Sequence, residues 1–432
     1  MTTPAEVRRT TLAASIGNTV ETYDYAVYGF LATVLAKVFF PAASTAAGLL
    51  SSFAVFGSAF LARPAGALVF GPIADRLGRR PALVASLLLM AGASTLIGLL
   101  PSTGTIGIAA PVLLVLLRFT QGLAAGGEFT TAIIYVAEFA PPDRRGALAS
   151  RVQVGSLAGF LLGAVVVLSL NAALTPAQLL GWGWRVPFLL ALPIGAIGLY
   201  LRSRFGETPE FLAARHRPST VDRAVDRQWS AVLLLVGVSV LHIVGIYMVY
   251  TYVQSYLIQL RLSALTATSV IAFALVAGIF LVLAGGRVSD RTGRPKALLV
   301  SSLVVLVVSY PLFAVLATAP PWWLVVGCTL LLSAGPAFYS GIAPITYVQL
   351  VPVRRRGSVV GISYNVTVGI LGGSAVFICQ ALIELTGDRR APAYLLVAAA
   401  AASALAAFAL TRRAARPEPA PATRPLSAES SP

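Results

Sequence analysis

The stretch from Asn18 to Phe30, NTVETYDYAVYGF, carries two carboxylates, Glu21 and Asp24, one helical turn apart in an otherwise apolar segment, with Tyr28 four residues beyond. On a helix these three side chains occupy neighbouring parts of one face. A carboxylate in the middle of a bilayer costs roughly 2.5–3.5 kcal/mol on insertion scales, so such a face has to meet a partner or a water-filled cavity. In a low-dielectric cavity a carboxyl group holds its proton more tightly, and a neighbouring cation loosens it. Groups of this kind can load a proton from one side and release it on the other when access to the cavity switches. A second polar face comes from Arg118, Gln121, Ala125 and Glu128, at i, i+3, i+7 and i+10. It covers about 15 Å at 1.5 Å per residue. Arg118 is a candidate anion clamp or modulator of the two carboxylates, and Glu128 a second titratable group. The alternative for both is a structural ion pair.

The later part of the chain supplies a different wall. Tyr247, Tyr250 and Gln254 fall at i, i+3 and i+7 as a polar aromatic stripe, while Tyr252 and Tyr256 lie on another face and read as interfacial anchors. His242, on an apolar helix, is either a hydrogen-bonded packing residue or a group that titrates near neutral pH. Tyr339, Tyr364 and Asn365 can donate to an oxygen-rich solute or to neighbouring helices. Arg63 is expected to pair with Glu128 or Glu138.

The elements that position these residues follow from composition. Of 432 residues, 57% are hydrophobic and 11% charged, well outside the range of soluble domains. Apolar runs of helical membrane-spanning length recur throughout, without the alternation of a β-barrel. Twelve spans are expected, near 12–39, 48–72, 82–101, 108–139, 147–174, 185–204, 229–259, 264–287, 297–318, 321–350, 357–385 and 391–412. The net charge of +16 is scattered in short clusters between the runs, which argues against nucleic acid and for topology. Arg8/Arg9, Arg76/Arg79/Arg80, Arg144/Arg145, the Arg202–Arg227 stretch, Arg291/Arg294/Lys296, Arg354–Arg356 and Arg412/Arg413/Arg416 fall on one side. Little more than Lys37, Arg185, Arg261 and Arg389/Arg390 falls on the other. The positive-inside rule then puts both termini in the cytoplasm, in a multi-pass protein of the cell inner membrane with no cleavable signal peptide. Cys328 and Cys379, isolated within spans, match no disulfide or metal-ligand pattern.

A polar linker near the midpoint divides the chain into residues 1–204 and 229–412, each expected to form a six-helix bundle, with 205–228 as a cytoplasmic linker and 413–432 as a disordered cytoplasmic tail. The same loop occurs in both halves, GPIADRLGRR from Gly71 to Arg80 and GRVSDRTGRP from Gly286 to Pro295, offset by 215 residues, within one of half the chain length. Gly71 and Gly286 permit close helix approach, Asp75 and Asp290 can accept from a helix N-terminus, and Gly78 and Gly293 permit a tight turn. Arg76, Arg79, Arg291 and Arg294 complete a candidate gate, with Glu138 and Arg151 at helix ends nearby. The loop arginines can also contact lipid phosphate.

This repeated loop resembles the signature of the major facilitator superfamily, and RFTQGLAAGGE (Arg118–Glu128) resembles its fourth-helix motif. GNTVETYDYAVYGFLATVLAKVFFP, RPAGALVFGPIADRLGRR, GLAAGGEFTTAIIYVAEFAPPDRRG, GWGWRVPFLLALPIG with ETPEF, and GISYNVTVGILGG with APAY narrow the resemblance to the metabolite:proton symporter family. The resemblance covers about residues 10–405 and implies an all-α membrane protein, twelve helices in two pseudo-symmetric bundles, working by alternating access. Two positions depart from the family. Gln349 stands where an acidic residue is expected, and Thr22 precedes Tyr23-Asp24 where an aromatic is usual. Gly155, Gly159 and Gly163 form a small-residue packing stripe on the fifth span, and the Gly-Pro pair of drug:proton antiporters is absent there. Proton-coupled symport of a small organic acid or zwitterion is therefore favoured. The alternatives are a proton-driven antiport exporter, for example of a natural product, and a transporter-like sensor. No nucleophile-base pair, metal cluster or nucleotide loop appears in the sequence, so neither an enzyme nor a cofactor is expected. The expected partners are a metabolite, protons and membrane lipid, for a monomeric protein.

Overall fold

The computed structural model describes residues 4–41, 45–77, 79–203, 228–351 and 356–414. Those residues form an all-α membrane protein, as a chain in hydrocarbon must when every backbone N–H and C=O has to be satisfied internally. The first half contains α1 (Pro4–Phe30, continued by Ala32–Phe39), α2 (Thr45–Leu61 and Arg63–Leu77), α3 (Arg79–Leu99), α4 (Ala109–Ala125 and Glu128–Phe139), α5 (Arg145–Ala173) and α6 (Arg185–Leu189 and Ala191–Ser203). The second contains α7 (Gln228–Tyr247 and Val253–Gln259), α8 (Ala264–Thr292), α9 (Arg294–Ala317), α10 (Trp322–Ser340 and Ala343–Gln349), α11 (Arg356–Thr386) and α12 (Pro392–Ala414). Residues 204–227 of the linker and 415–432 of the tail lie outside the described residues.

Packing repeats with an offset of six helices. In the first half α1 lies on α5, α3 on α6 and α4, and α2 on α4; in the second α7 lies on α11, α9 on α12 and α10, and α8 on α10. The halves meet along α5 against α8 and α2 against α11, again a symmetric pair of contacts. Leu88, Leu96, Leu116, Phe273, Phe280, Val300 and Val307 are exposed, forming the apolar outer surface that lipid tails would cover.

Four local features differ from the sequence expectation. The fourth span breaks at Gly126–Gly127, where a Cβ on Gly126 would overlap the carbonyl oxygen of Arg63, so Arg118 and Glu128 do not share one uninterrupted helical face. The sixth apolar span starts at Pro176, about nine residues early, because Thr175 and Gln178 form a reciprocal capping box and the chain runs through a π turn at Leu179–Gly183. A π turn at Met248–Tyr252 interrupts α7, so the stripe Tyr247, Tyr250 and Gln254 does not keep α-helical register. Tyr252 and Tyr256 are 0% and 1% exposed, so they are core residues rather than interfacial anchors; their hydroxyls donate to Gln380 Oε1 (3.4 Å) and the Arg389 carbonyl (2.9 Å).

The contact of α1 with α5 is at backbone distance. A Cβ on Gly155 would overlap the Ser15 carbonyl, one on Gly159 would overlap Thr22 Oγ1 and the Thr19 carbonyl, and one on Gly163 would lie 2.8 Å from Ala26 Cβ. Thr19 Oγ1 donates to the Gly155 carbonyl at 3.0 Å, and Asn18 Nδ2 to the Val152 carbonyl at 3.1 Å, fixing the rotation of α1 on α5. Gly159→Ala should therefore destabilise the protein by about 1–3 kcal/mol, the usual cost of overpacking, and lower its melting temperature in detergent. Gly92→Ala, where no atom lies within 4 Å of the added carbon, is the control and should be neutral or slightly stabilising.

Candidate functional site

The rotation set by the α5 glycines points Asn18, Glu21 and Thr22 into a central cavity. Arg63 of α2, Phe129 of α4, Gln153, Ser156 and Phe160 of α5, His242, Ile243, Ile246 and Tyr247 of α7, and Tyr364 of α11 complete its lining. Both halves thus contribute, and the formal charges among the lining residues come from the first.

Two charge sets occupy this region and they are distinct. In the first, Arg63 Nη1 lies 2.7 Å from Glu21 Oε1, both side chains being 3% exposed, and Arg63 Nε donates to Asn365 Oδ1 of α11 at 3.3 Å. Arg63 thus pairs with Glu21 rather than with Glu128, and the side chain of Glu138 lies outside the described residues; Arg63 sits two turns deeper than the signature loop and holds Glu21 on the cavity wall. In the second set, Ser94 Oγ of α3 donates to Asp24 Oδ2 at 2.6 Å, Gln121 Nε2 of α4 donates to Ser94 Oγ at 2.6 Å, and Arg118 Nη1 donates to Gln121 Oε1 at 2.8 Å. Two neutral side chains therefore connect Arg118 to Asp24, and neither end of this chain lines the cavity. Arg118 is fully buried, its Cζ 4.4 Å from the centre of the Tyr28 ring and 5.4 Å from those of Tyr25 and Phe56. Its Nε and Nη2 have no hydrogen-bond partner among the described residues. Stacking on aromatic faces supplies a desolvated cation with about 2 kcal/mol.

The Tyr25 ring touches both sets, with Arg63 Cζ at 5.8 Å and Arg118 Cζ at 5.4 Å from its centre. Tyr28 donates from its hydroxyl to the Ser52 carbonyl at 3.2 Å. Glu128 is buried at the start of the second piece of α4 and makes polar contact there.

The second half faces the charges with neutral polar and aromatic groups. His242 Nδ1 lies 2.8 Å from the Tyr347 hydroxyl, and its ring packs among Phe129, Tyr347 and Tyr364, so His242 is a hydrogen-bonded residue that also lines the cavity. Tyr247 packs edge-on against Phe60 at 4.8 Å. Tyr250 lies further along α7 beside Phe160 and Gly278, and Gln254 Nε2 bonds the Phe30 carbonyl and Thr268 Oγ1. Tyr339 donates to the Val238 carbonyl as an interhelical bond, and Asn365 gives its amide to the Gly361 carbonyl while accepting from Arg63.

At the end of the bundle that carries the termini, the second signature loop meets α5. Asp290 Oδ1 and Oδ2 accept from the backbone N–H groups of Gly146 and Ala147, both at 2.9 Å, and Arg294 Nη2 lies 3.2 Å from Oδ1. A carboxylate on the first N–H groups of a helix satisfies donors that otherwise lack partners and favours the positive end of its dipole. Gly286 makes this approach possible, since a Cβ there would lie 2.7 Å from the Gly146 carbonyl, and Gly293 turns the chain into α9 at φ +86°. Arg291 and Arg151 are exposed. The corresponding surroundings of Gly71, Asp75, Arg76, Gly78 and Arg79, and of Glu138, lie outside what the structure describes. Gln349, at the expected acidic position, is exposed, and Arg356 instead donates to the carbonyls of Val348 and Val351 at the end of α10.

Site residues that the sequence did not single out are mostly neutral: Asn18, Ser94, Gln153 and Ser156. Only Asn18, three residues before Glu21 on the same helix, has a spacing that could have indicated it; the others lie on α3 and α5. Because Glu21 and Arg63 are both buried, removing either alone should cost about 3–5 kcal/mol. A double-mutant cycle with Glu21→Ala and Arg63→Ala, read by unfolding in detergent, should show losses well short of additive; additive losses would mean the pair contributes no coupling.

The sequence model described as Major Facilitator Superfamily matches residues 14–377. The chain is 34% identical over 426 residues to the proline/betaine transporter of Escherichia coli K12, covering 95% of this chain and 85% of that protein. It is also 34% identical over 407 residues to the citrate-proton symporter of Klebsiella pneumoniae, covering 94% and 92%. Among solved structures, the xylose transporter from Escherichia coli in a partially occluded inward-open conformation superposes with a TM-score of 0.74 at 18% identity, over 94% of this chain and 99% of that one.

Proposed function

Because the chain belongs to the Major Facilitator Superfamily and, within it, to the metabolite:proton symporter family, we propose that it imports a small organic acid or zwitterion with protons, binding solute and proton on different charges. The observation that carries this reading is the separation of the two sets: Glu21 and Arg63 line the cavity, whereas Asp24 sits behind it on the Ser94–Gln121–Arg118 chain.

In this mechanism Arg63 receives the solute's carboxylate and Glu21 answers its cationic or hydroxyl end, so the ion pair opens as the solute enters. The aromatic wall of Phe129, Phe160, Tyr247 and Tyr364 then excludes water from the solute's apolar part. Asp24 carries the proton. When it is protonated, the chain through Ser94 and Gln121 no longer balances the charge of Arg118, and Arg118 shifts on the faces of Tyr25 and Tyr28. Tyr25 lies against both guanidinium groups, so this shift alters the setting of Arg63, and the loss of its bond to Asn365 frees α11 from α2. The halves rock about the cavity as in other transporters built from repeats. Asp290 locks the terminus-bearing end by capping α5; the arginine distribution supports a cytoplasmic position for that end, and the protein acts as a monomer in the cell inner membrane.

The test is uptake by proteoliposomes under an inward proton gradient, with labelled organic acids, betaines and amino acids outside and internal pH recorded. Wild type should accumulate one of these classes while the lumen acidifies. Asp24→Asn should abolish accumulation against a gradient yet retain exchange of internal for external solute. Uphill transport by that variant would remove Asp24 from the coupling role. Efflux of preloaded solute as protons enter would instead make the protein an antiport exporter. Asp290→Asn should slow turnover and leave equilibrium affinity for the same solute nearly unchanged; an equal loss of affinity would argue against a lock.

A further inference from the structure

On the wall that α1 and α5 share, almost every polar group is committed inside the protein. Thr22 Oγ1 donates to the Asn18 carbonyl at 2.7 Å. Asn18 Nδ2 donates to the Val152 carbonyl and to Ser156 Oγ. Glu21 accepts from Arg63. Gln153 differs: it is 2% exposed, lines the cavity with Glu21 and Thr22, and its Oε1 has no hydrogen-bond partner among the described residues. A buried acceptor without a donor is costly, and a site that leaves one facing a ligand cavity rejects ligands unable to satisfy it.

The position is built rather than incidental. Gln153, Ser156 and Phe160 fall at i, i+3 and i+7 on α5 and form the face of that helix turned to the cavity. Gly155 and Gly159, between them, hold α1 at backbone distance. Thr22 lines the same cavity, and its short side chain is tied back to its own helix by the bond to the Asn18 carbonyl.

From this geometry we infer that Gln153 contacts the solute and sets its specificity: its side-chain carbonyl accepts from an N–H or O–H on the end of the solute that faces Glu21. The inference rests on the reading of this cavity as the solute site and narrows its substrate class. The pocket takes an amino, imino or hydroxy acid in preference to an analogue in which the donor is replaced by alkyl groups or hydrogen.

Equilibrium binding to the full chain in detergent tests this without depending on proton coupling. The probes are matched pairs: L-proline with its N,N-dimethyl derivative, and malate with succinate. In the pair that binds, the member bearing the donor should bind wild type about tenfold more tightly, as expected for one buried hydrogen bond. Gln153→Ala should bring that ratio close to one by weakening the donor-bearing member alone. Gln153→Glu, which keeps an acceptor at the position, should preserve the preference, and the melting temperature of each variant reports its folding. An unchanged ratio in a folded Gln153→Ala protein, equal weakening of both members, or no binding of either pair by wild type would overturn the inference. The predicted binding pattern together with uptake that moves no protons would sink the symport reading while leaving the assignment of Gln153 standing.

Discussion

A guanidinium group enclosed by apolar helices must find its compensation within the protein, and here Arg63 and Arg118 both lie against one tyrosine ring. Arg63 is neutralised by Glu21 and Arg118 is tied to Asp24 through Gln121 and Ser94, with Tyr25 against both. Each arrangement constrains a different set of helices: the first joins α1 to α2, the second joins α1 to α3 and α4. Every one of these charges comes from the first half, and the second contributes only neutral groups such as Asn365, His242 and Tyr364 to the same region. The symmetry of the backbone is thus not a symmetry of chemistry. The first half carries the charge, and the second half presents a surface that can move against it without separating opposite charges in low dielectric, which is where the Coulomb cost would be greatest.

Placing the carboxylates depends on a contact that involves no charge. The α5 glycines let α1 approach until backbone meets backbone, and the hydroxyl and amide bonds from Thr19 and Asn18 then fix its rotation. In a bilayer, close van der Waals contact of this kind replaces the hydrophobic effect as the force that joins helices. Rotation of α1 by one residue, about 100°, would carry Glu21 away from Arg63. The apolar packing and the polar site are therefore one construction.

Much of this was legible in the sequence, because burial of charge and helical periodicity act locally. The spacing of Glu21 and Asp24, the glycine stripe, the repeated loop and most spans can be read from residue type and interval. Where a helix departs from 3.6 residues per turn, that reading fails: the π turn at Met248–Tyr252 and the break at Gly126–Gly127 displace every face computed across them. Pairing fails for a different reason. Arg63 was expected near Glu128 or Glu138 because depth along α2 does not say which neighbour it faces, and that is decided by the packing of α1, α2 and α11. Neutral polar residues such as Gln153 and Ser94 carry almost no signal, since the same types serve as ordinary interhelical hydrogen bonds.

The interface between the halves is built to part. Where α2 meets α11, Gly57 lies against Gly373 with the Phe60 ring beside them, and where α5 meets α8, Gly146 lies against Gly286, so at both places backbone approaches backbone. Among the described residues, the polar links across it are few in kind: Arg63 to Asn365 at the cavity, Gln254 to the Phe30 carbonyl on one side, and Asp290 to the first turn of α5 at the terminus-bearing end. Within the first half aromatic side chains interdigitate around Tyr25, Phe56 and Phe60, and around the cavity aromatic contacts also cross between the halves, Phe60 against Tyr247 and Phe129 against Tyr364. Close-packed interiors resist continuous deformation, so movement concentrates at the surface where contacts are smooth and the bonds broken can be remade with water. Asp290 meets that condition because both it and the helix terminus it caps lie at the end of the bundle. Arg63 does not, since it is buried when bound to Asn365. Its release therefore needs a substitute partner inside the cavity, and in the proposed mechanism the solute's carboxylate is that partner.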